Sequence, residues 1–388
     1  MNELGSVVFK HSPEDFIVEE VWDTEICKIS ENSEVFGKTK VDFGRLDVND
    51  RRDFMFCEME KINLDHFSAI EILTREIGKK IHEIGYGGTK DKIAWTCQRV
   101  SIFNPNIELI RKFHNPNIIL KNFRWGKHKI KTGDLTGNRF RIVLRDADKD
   151  AIKILSKLRN SEFIPNYFGE QRFGSLRNDN VKIGKLIFKK KFKEAVFAFL
   201  TDFGQSEDQE VKDAKKKLKE KKDLNEARAY FPSKLYAEKR ILDYLSSNEE
   251  DWIGALKMIG EKTLLLMCQA VQSKIFNDIL ERVNDEGINA KSLNLMGYNS
   301  EISEGRVGKI EWETMELHDM RFDDFKVDKI PDLSLKSSRR KAFFKIMDLE
   351  VFTDDDELFI PSKKIILSFR LDSGVYATTL LEQFFELR

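Results

Sequence analysis

The sequence has little of several features that would place it in a specialised class of protein. It has four cysteines in 388 residues, none in a Cys-x-x-Cys pair and none with a histidine at metal-ligand spacing. The longest apolar run that we find, residues 195–200, is about six residues long, far short of the roughly 20 that span a bilayer. The first 15 residues lack the apolar centre of a signal peptide. These absences exclude disulfide scaffolds and zinc modules, and they predict a soluble cytoplasmic protein with free thiols.

The chain also lacks an excess of charge of either sign. It has 66 basic and 66 acidic residues, which excludes a uniformly basic protein but not a basic patch. Hydrophobic residues make up 41% of the chain, as in globular proteins. We find no internal repeat, and 388 residues predict two compact domains.

The first 160 residues or so mix strand-like and helix-like segments, which is the α+β pattern. Residues 64–77 have helical apolar spacing and follow Asn63, a candidate N-cap. A short helix is expected over residues 151–159. Strands are expected at residues 7–9, 16–20, 54–59, 84–88, 95–102, 118–120 and 140–144.

After Pro165 the pattern changes to long helical segments, and strand-like text returns only near residue 363. The predicted helices are residues 181–200, 206–229, 237–245 and 262–283, and the predicted late strands are residues 363–370 and 375–381. This order predicts a domain at residues 164–340 inserted into another that comprises residues 1–163 and 341–388. The lysine-rich segment 206–229 has no function that we can assign, and a solvated helix face is its simplest interpretation.

Residues 85–92, Gly-Tyr-Gly-Gly-Thr-Lys-Asp-Lys, form the first candidate site. Three glycines let the backbone bend sharply or approach a ligand closely, and two lysines beside Asp91 favour its ionised form. An ionised aspartate on such a turn is a plausible nucleophile or base. The simpler alternative is a turn in which Asp91 only binds backbone amides. A phosphate-binding loop is excluded because Lys90 is followed by Asp91 rather than by Ser or Thr.

Residues 111–145 hold the densest positive charge, with ten basic residues against one acid, Asp134. Aromatic and histidine side chains are interleaved with the basic ones, as in segments that bind unpaired RNA. We expect the segment to bind nucleic acid, with Lys127, Lys129 and Lys131 contacting the RNA backbone. The alternative is that the basic residues are scattered on different faces of strands.

Residues 166–174, Asn-Tyr-Phe-Gly-Glu-Gln-Arg-Phe-Gly, surround a charged centre with aromatic residues. Burying Glu170, Gln171 and Arg172 without partners would be costly, so a polar network is expected around them.

Six blocks in this order resemble the TruD family of pseudouridine synthases, and they extend over nearly the whole chain. The blocks are residues 13–16, 88–92, 137–140, 166–174, 270–277 and 374–378. The resemblance implies a catalytic domain with a mixed or antiparallel sheet and an inserted, helix-rich α/β domain. It also implies an isomerase that converts uridine to pseudouridine in folded tRNA, with position 13 as the family expectation.

The resemblance implies a role for individual residues as well. Asp91 matches the catalytic aspartate, and Phe16, Asn138 and Tyr376 match positions that line the uridine site. Lys10 and Phe140 match neighbours of that site. Whether Asp91 attacks a carbon or removes a proton is left open.

The implied reaction breaks the bond from ribose C1′ to N1, turns the base and rejoins it through C5, so it needs no cofactor and no metal. tRNA is the expected partner, no membrane is involved, and a monomer is expected. One alternative is a non-catalytic RNA-binding or chaperone protein of the same fold, which would not need Asp91. A methyltransferase is the other, and the lack of a glycine-rich loop that opens a helix argues against it.

Overall fold

The computed structural model describes residues 4–50, 52–174, 179–205 and 207–388. The chain divides into two compact units. Unit 1 comprises the chain up to Ile164 together with Phe344–Arg388, and unit 2 comprises Pro165–Phe343. Both units contain helices and strands, which confirms the α+β class. The assignment of a catalytic domain and an inserted domain stays a prediction.

The first part of unit 1 alternates strands with three helices. Its strands are β1 (Gly5–Val7), β2 (Phe16–Trp22), β3 (Glu25–Ile26), β4 (Phe54–Ile62), β5 (Ile84–Tyr86), β6 (Trp95–Phe103), β7 (Ile118–Gly126) and β8 (Gly137–Ala147). Its helices are α1 (His66–Glu76), α2 (Ile107–Lys112) and α3 (Lys149–Asn160). The short strand β9 (Ile164–Pro165) follows α3.

Unit 2 is mostly helical. Its helices are α4 (Asn180–Phe188), α5 (Phe192–Thr201), α6 (Gln209–Lys221), α7 (Leu224–Tyr230), α8 (Tyr236–Ser247), α9 (Trp252–Lys257), α10 (Glu261–Asp285) and α11 (Gly305–Leu317). Strands β10 (Ser292–Leu295) and β11 (Ser338–Lys341) pair antiparallel. The short strand β12 (Phe343–Phe344) then leads back to unit 1, which ends with β13 (Met347–Asp355), β14 (Lys363–Asp372), α12 (Ala377–Leu381) and β15 (Phe385–Leu387).

A nine-stranded mixed sheet forms the framework of unit 1. Its strands follow the order β13-β14-β8-β2-β6-β4-β7, with β3 paired to β2 and β5 to β6. The β2–β6 pair is parallel, whereas the other neighbours along this path are antiparallel. The sheet therefore joins strands from both ends of the unit, because β14 pairs with β8.

Unit 1 has two apolar clusters on this sheet, and unit 2 has one of its own. In one cluster, side chains of α3 and α12 such as Leu155 and Leu380 pack with Ile142 of β8. In the other, Leu73 of α1 packs with Val100 of β6. In unit 2, the long helix α10 contributes Phe276 and its neighbours to a core shared by the surrounding helices.

Three predicted helices and one predicted strand differ from the structure. Asp65, rather than Asn63, caps α1, since its Oδ1 accepts hydrogen bonds from the backbone amides of Phe67 and Ser68. The predicted helix 181–200 is two helices, because Lys190 between them has a positive φ of 59°. The predicted helix 206–229, whose residue 206 lies outside the described residues, is likewise divided at Lys222, which has φ 55°.

The predicted late strand 375–381 is the helix α12. Its buried residues Leu380 and Leu381 join the apolar cluster beside α3, so helical spacing suits their burial. In the described part of the chain, no helix is long and apolar enough to cross a membrane.

Candidate active site

One face of the large sheet carries polar side chains in the middle of its width. The register sets Glu20 of β2 opposite Asn138 of β8, and Lys61 of β4 opposite Thr96 of β6. Val18 of β2 is also opposite Thr96. Because paired residues point to the same side of a sheet, these side chains share one face. With Gln98 of β6, two positions from Thr96, they form what we call the polar strip: Glu20, Lys61, Thr96, Gln98 and Asn138.

The polar strip lies between the two apolar clusters of unit 1. Val18 on β2 belongs to one cluster, and Met59 on β4 belongs to the other. Strand β6, which carries Thr96 and Gln98, lies between those two strands. The hydrophobic core is therefore interrupted where the strip crosses the sheet.

Residues 85–92 connect β5 to β6 and are held by contacts within the protein. A Cβ added at Gly85 would lie 2.3 Å from the carbonyl oxygen of Ile130 and 2.4 Å from Oγ of Ser101, so only glycine fits there. The carbonyl of Gly88 accepts a hydrogen bond from Nε2 of Gln98 at 3.2 Å. The close approach at Gly85 is thus to the protein itself, whereas the sequence also allowed an approach to a ligand.

Lys90 does not serve as a partner for the neighbouring Asp91, contrary to the expectation from the sequence. Its ammonium turns inward and lies 2.6 Å from Oε1 of Glu20, and both side chains are buried. Oε2 of Glu20 accepts two further hydrogen bonds, from Nε1 of Trp22 at 3.1 Å and from the backbone amide of Arg99 at 3.0 Å. The Lys90–Glu20 pair therefore anchors the connection to β2.

The partner of Asp91 is Lys10, which is 81 positions away in the sequence. The Lys10 ammonium lies 2.8 Å from Oδ2 of Asp91, and the Asp91 side chain is 54% exposed. The Lys10 ammonium also lies 4.1 Å from the centre of the Phe16 ring and 5.1 Å from that of Phe9, distances at which a cation is attracted to an aromatic face. Asp91 is thus a solvent-accessible carboxylate held by one well-positioned ammonium.

Phe16 and Phe140 are core residues by their burial. Phe16 is only 2% exposed, and its ring contacts Phe9 edge-on at 5.4 Å between centroids. Phe140, on β8, is stacked on Phe369 at 5.3 Å. Their role in substrate binding stays a prediction.

Asn138 and Tyr376 differ sharply in their surroundings. Oδ1 of Asn138 is buried and has no hydrogen-bond partner within the described residues. Tyr376, just before α12, is 63% exposed. The hydrogen bonds, ion pairs and ring contacts of the described residues link Lys10, Phe16, Phe140 and Asp91 to one another, and none of them links these residues to Asn138 or Tyr376.

Two further residues, Lys61 beside Asp91 and His66 beside Lys61, were not identified from the sequence. The Lys61 side chain is fully buried, and its ammonium donates to the backbone carbonyls of Asp91 at 2.6 Å and Leu64 at 2.8 Å. Burial lowers the pKa of Lys61 to about 8, although the negative charges of Asp91 and Asp65 raise it. A lone lysine near the end of a strand that alternates Met55, Cys57 and Met59 inward was the signal available in the sequence.

His66, the first residue of α1, is also buried. Burial, and then the positive charges of Lys61 and Lys90, lower the pKa of His66 to about 4. The ring is therefore neutral at pH 7, and it packs edge-on against Tyr86 with ring centroids 4.5 Å apart.

The basic segment 111–145 carries less free positive charge than its sequence suggests, because acids from other segments pair with half of it. The paired residues and their partners are Arg111 with Glu108, Lys121 with Glu60, Arg124 with Glu25, Arg139 with Glu19, and Arg145 with Asp15, Asp356 and Glu357. The count of ten bases against one acid therefore overstates the local charge.

The three lysines predicted to bind RNA are not equivalent. Lys127 and Lys131 are exposed, whereas Lys129 is half-buried and donates to the carbonyl of His82 at 2.6 Å. Lys129 and Lys131 line a cavity of about 540 Å³ together with Trp22 and His128. Arg99, Phe56 and Asp134 also line it, so the cavity brings three cations, three aromatic rings and one acid together.

In unit 2, residues 166–174 pack on α10. The Phe168 amide donates to Oδ1 of Asn277, whose Nδ2 donates back to the Phe168 carbonyl. Nε of Arg172 donates to Oγ of Ser273 at 3.2 Å. Glu170 and Gln171 are exposed, so the expected polar network includes Arg172 but leaves these two side chains at the surface.

Among the described residues, no group of three or more His, Cys, Asp or Glu side chains could hold a metal ion. The four cysteines are buried free thiols, and burial raises the pKa of Cys268 to about 12, as expected of thiols that serve packing.

Comparison with known proteins identifies the family to which the chain is similar. The family model described as tRNA pseudouridine synthase D (TruD) matches residues 4–293 and 289–384. A Methanocaldococcus jannaschii protein described as a tRNA pseudouridine synthase D is 30% identical, and the alignment covers 98% of this chain and 96% of the relative. A Methanococcoides burtonii protein of the same description is 27% identical over 89% of this chain and 91% of its own.

A solved structure also matches. The crystal structure of a tRNA pseudouridine synthase D (TruD) from Methanosarcina mazei superimposes with a TM-score of 0.81 at 25% identity, covering 100% of this chain and 95% of that one.

Proposed function

Because this chain belongs to the tRNA pseudouridine synthase D (TruD) family, we propose that it isomerises a uridine of folded tRNA to pseudouridine. We assign position 13 as the target, Asp91 as the one catalytic carboxylate, and tRNA as the partner of a monomer that acts in the cytoplasm without a cofactor. In this proposal unit 1 is the catalytic domain and unit 2 is the inserted domain.

The observation that carries the proposal is the exposed Asp91 carboxylate with the Lys10 ammonium 2.8 Å away. The reaction needs a carboxylate next to the ribose or the base, and the paired ammonium holds this carboxylate in position. Lys10 is held over two aromatic rings, so it approaches the carboxylate in a fixed direction. A protein that only binds RNA would have no use for this pair, which argues against the non-catalytic alternative.

We assign different tasks to the remaining site residues. The exposed ring of Tyr376 is the aromatic surface on which a flipped uracil would stack. Phe16 holds Lys10 and offers an edge to the base once Lys10 shifts. The unpaired Oδ1 of Asn138 would accept a hydrogen bond from the substrate after the side chains that cover it move. Phe140 supports Phe16 from beneath, at 6.2 Å between centroids.

The test is the substitution Asp91→Asn, which keeps the size of the side chain but removes its charge. We expect the variant to fold, to bind tRNA as the wild type does, and to release no tritium from 5-tritiated uridine in tRNA. Binding should survive because phosphate contacts supply most of the affinity. Mapping pseudouridine by sequencing the tRNA after the reaction tests whether position 13 is the target.

The matched control is Asp150→Asn. Asp150 is also an exposed aspartate with a lysine ammonium close to it, that of Lys153 at 2.6 Å, and it is not part of the proposed site. It should leave tritium release unchanged. Release at the wild-type rate by folded Asp91→Asn would remove Asp91 from the mechanism.

A further inference from the structure

We propose that Lys61 is the positioning residue of Asp91: its buried ammonium fixes the Asp91 peptide from below and adds a positive charge behind the carboxylate. This inference rests on the proposed role of Asp91 in catalysis. Two contacts carry it, the hydrogen bonds from the Lys61 ammonium to the carbonyls of Asp91 and Leu64.

The two hydrogen bonds tie the connection that carries Asp91 to the turn between β4 and α1. Leu64 belongs to that turn, and Asp91 belongs to the connection between β5 and β6. Asn63 in the same turn donates its backbone amide to the Ala94 carbonyl at 3.1 Å. One turn thus holds the connection at two places, at Asp91 itself and three residues after it, and Lys61 provides the contact at Asp91.

Burying an ammonium is costly unless charges and acceptors compensate it. The titratable groups that face Lys61 are Asp91 and Lys90 from the connection, Asp65 and His66 from the start of α1, and Lys10 from the N-terminal segment. Two are acids and two are lysines, while His66 is neutral at pH 7. The charge at Lys61 is therefore held mainly by Asp65 and by Asp91, the residue that it positions.

A lysine that served only packing would not need this arrangement. Lys215 in unit 2 is equally buried, and its ammonium donates to the carbonyl of Asp202 at 3.0 Å and to Oε1 of Glu207 at 3.1 Å. Neither Asp202 nor Glu207 belongs to the proposed site. Lys215 is therefore a matched control for the effect of removing a buried ammonium that bonds a backbone carbonyl.

The experiment measures single-turnover tritium release, with enzyme in saturating excess over tRNA, from pH 6 to pH 9, together with tRNA affinity and melting temperature. The variants of the full chain are Lys61→Met, Lys61→Arg, Lys215→Met and Asp91→Asn. Methionine keeps the length of the side chain but has neither charge nor donors, whereas arginine keeps both.

We expect Lys61→Met to slow single turnover by about 100-fold, the size of effect that a misplacement of about 1 Å can have, with tRNA affinity unchanged. In the wild type, Lys61 loses its proton as pH rises through about 8, so the rate should fall there. Lys61→Arg should move that fall to higher pH.

Lys215→Met should lower the melting temperature but leave the single-turnover rate and its dependence on pH as in the wild type. A folded Lys61→Met variant with the wild-type rate and profile would overturn the inference. If neither Lys61 variant folds, the wild type decides, because a rate that stays flat across pH 8 also overturns it. Activity of Asp91→Asn would instead reject the proposed function, so the two failures are distinguishable.

Discussion

Both units bury charged side chains. In unit 1, two of them lie beneath a segment that exposes an acid, whereas the buried acid compared with them in unit 2 supports no such segment. In unit 1, Lys61 and Lys90 lie beneath the connection that carries the accessible Asp91. In unit 2, buried Glu311 accepts hydrogen bonds from the backbone amide and Oγ of Ser303 and from Nδ2 of Asn294. These hydrogen bonds hold Ser303 and Asn294 against α11, and they connect to no residue of the proposed site.

The difference indicates how to separate a structural buried charge from one that serves a site. A structural charge has its hydrogen bonds completed within its own neighbourhood, as Glu311 has. A charge that serves a site holds a segment whose own functional group is left accessible. Substitutions of the first kind should change stability alone, and those of the second kind should change turnover as well.

The largest effect is expected for Glu20→Gln. Loss of the carboxylate leaves the Lys90 ammonium buried without its counter-charge, which costs about 3–5 kcal/mol in the free energy of unfolding. The connection that carries Asp91 also loses its anchor to β2, so single turnover of the folded fraction should fall. Chemical unfolding and tritium release measured on the same preparation check both effects.

Glu311→Gln is the control that sharpens this comparison. It weakens the hydrogen bonds to Ser303 and Asn294 and should cost about 1–3 kcal/mol, with no change in turnover per folded molecule. If Glu20→Gln lost stability but kept full turnover, the distinction between the two kinds of buried charge would fail.

Substitutions of Phe16 and Tyr376 should separate a loss of stability from a loss of turnover. Phe16→Ala removes a buried ring and should cost about 3–5 kcal/mol of stability. Tyr376→Ala removes an exposed ring, so the melting temperature should change little. Loss of a stacked base should slow its turnover by roughly 10- to 100-fold, since stacking is worth about 1–3 kcal/mol.

Turnover per folded molecule then decides the role of Phe16. A fall of the same size as for Tyr376→Ala would support stacking by both rings, and normal turnover would assign Phe16 to the core alone. Wild-type turnover by Tyr376→Ala would remove Tyr376 from the site.

The smallest effect is expected for the exposed lysines. Substituting Lys127 and Lys131 by alanine should weaken tRNA binding and reduce the slope of log affinity against log salt by about 0.9 for each lost phosphate contact to a duplex. Filter binding at several salt concentrations measures the slope. Lys129→Ala should change it less, because the Lys129 ammonium already bonds the His82 carbonyl. A slope that is unchanged in the double variant contradicts this assignment.

Much of the fold could be predicted because apolar spacing records local structure. The strands β2 and β4 to β8 and the helices α1, α3 and α10 lie where their patterns predicted them. Two of the failures have a common cause, since single residues in left-handed conformation, Lys190 and Lys222, divide two helices. Apolar spacing continues across such a residue, so the pattern alone does not reveal the break.

Less of the candidate site could be predicted, because ionic partners are set by the fold rather than by adjacency. Nothing in the sequence pairs Asp91 with Lys10 beyond their shared resemblance to one family, and proximity in the sequence suggested the wrong partner for the flanking Lys90. The acids Glu19, Glu25 and Glu60 lie outside the basic segment in the sequence. They pair with its lysine and arginines because the sheet brings their strands close together. Lys61 was missed because its role depends on a carbonyl 30 positions away.

The pairing of β8 with β14 has a consequence for the order in which the chain can fold. The nine-stranded sheet needs strands that are separated by all of unit 2, and β1 needs β15. During synthesis the whole of residues 165–343 leaves the ribosome before β14 does, so β8 must wait with an open edge. Such distant pairings slow folding and expose strand edges to aggregation. Unit 2, which is continuous in the chain, can form first and leave the nine-stranded sheet to close last.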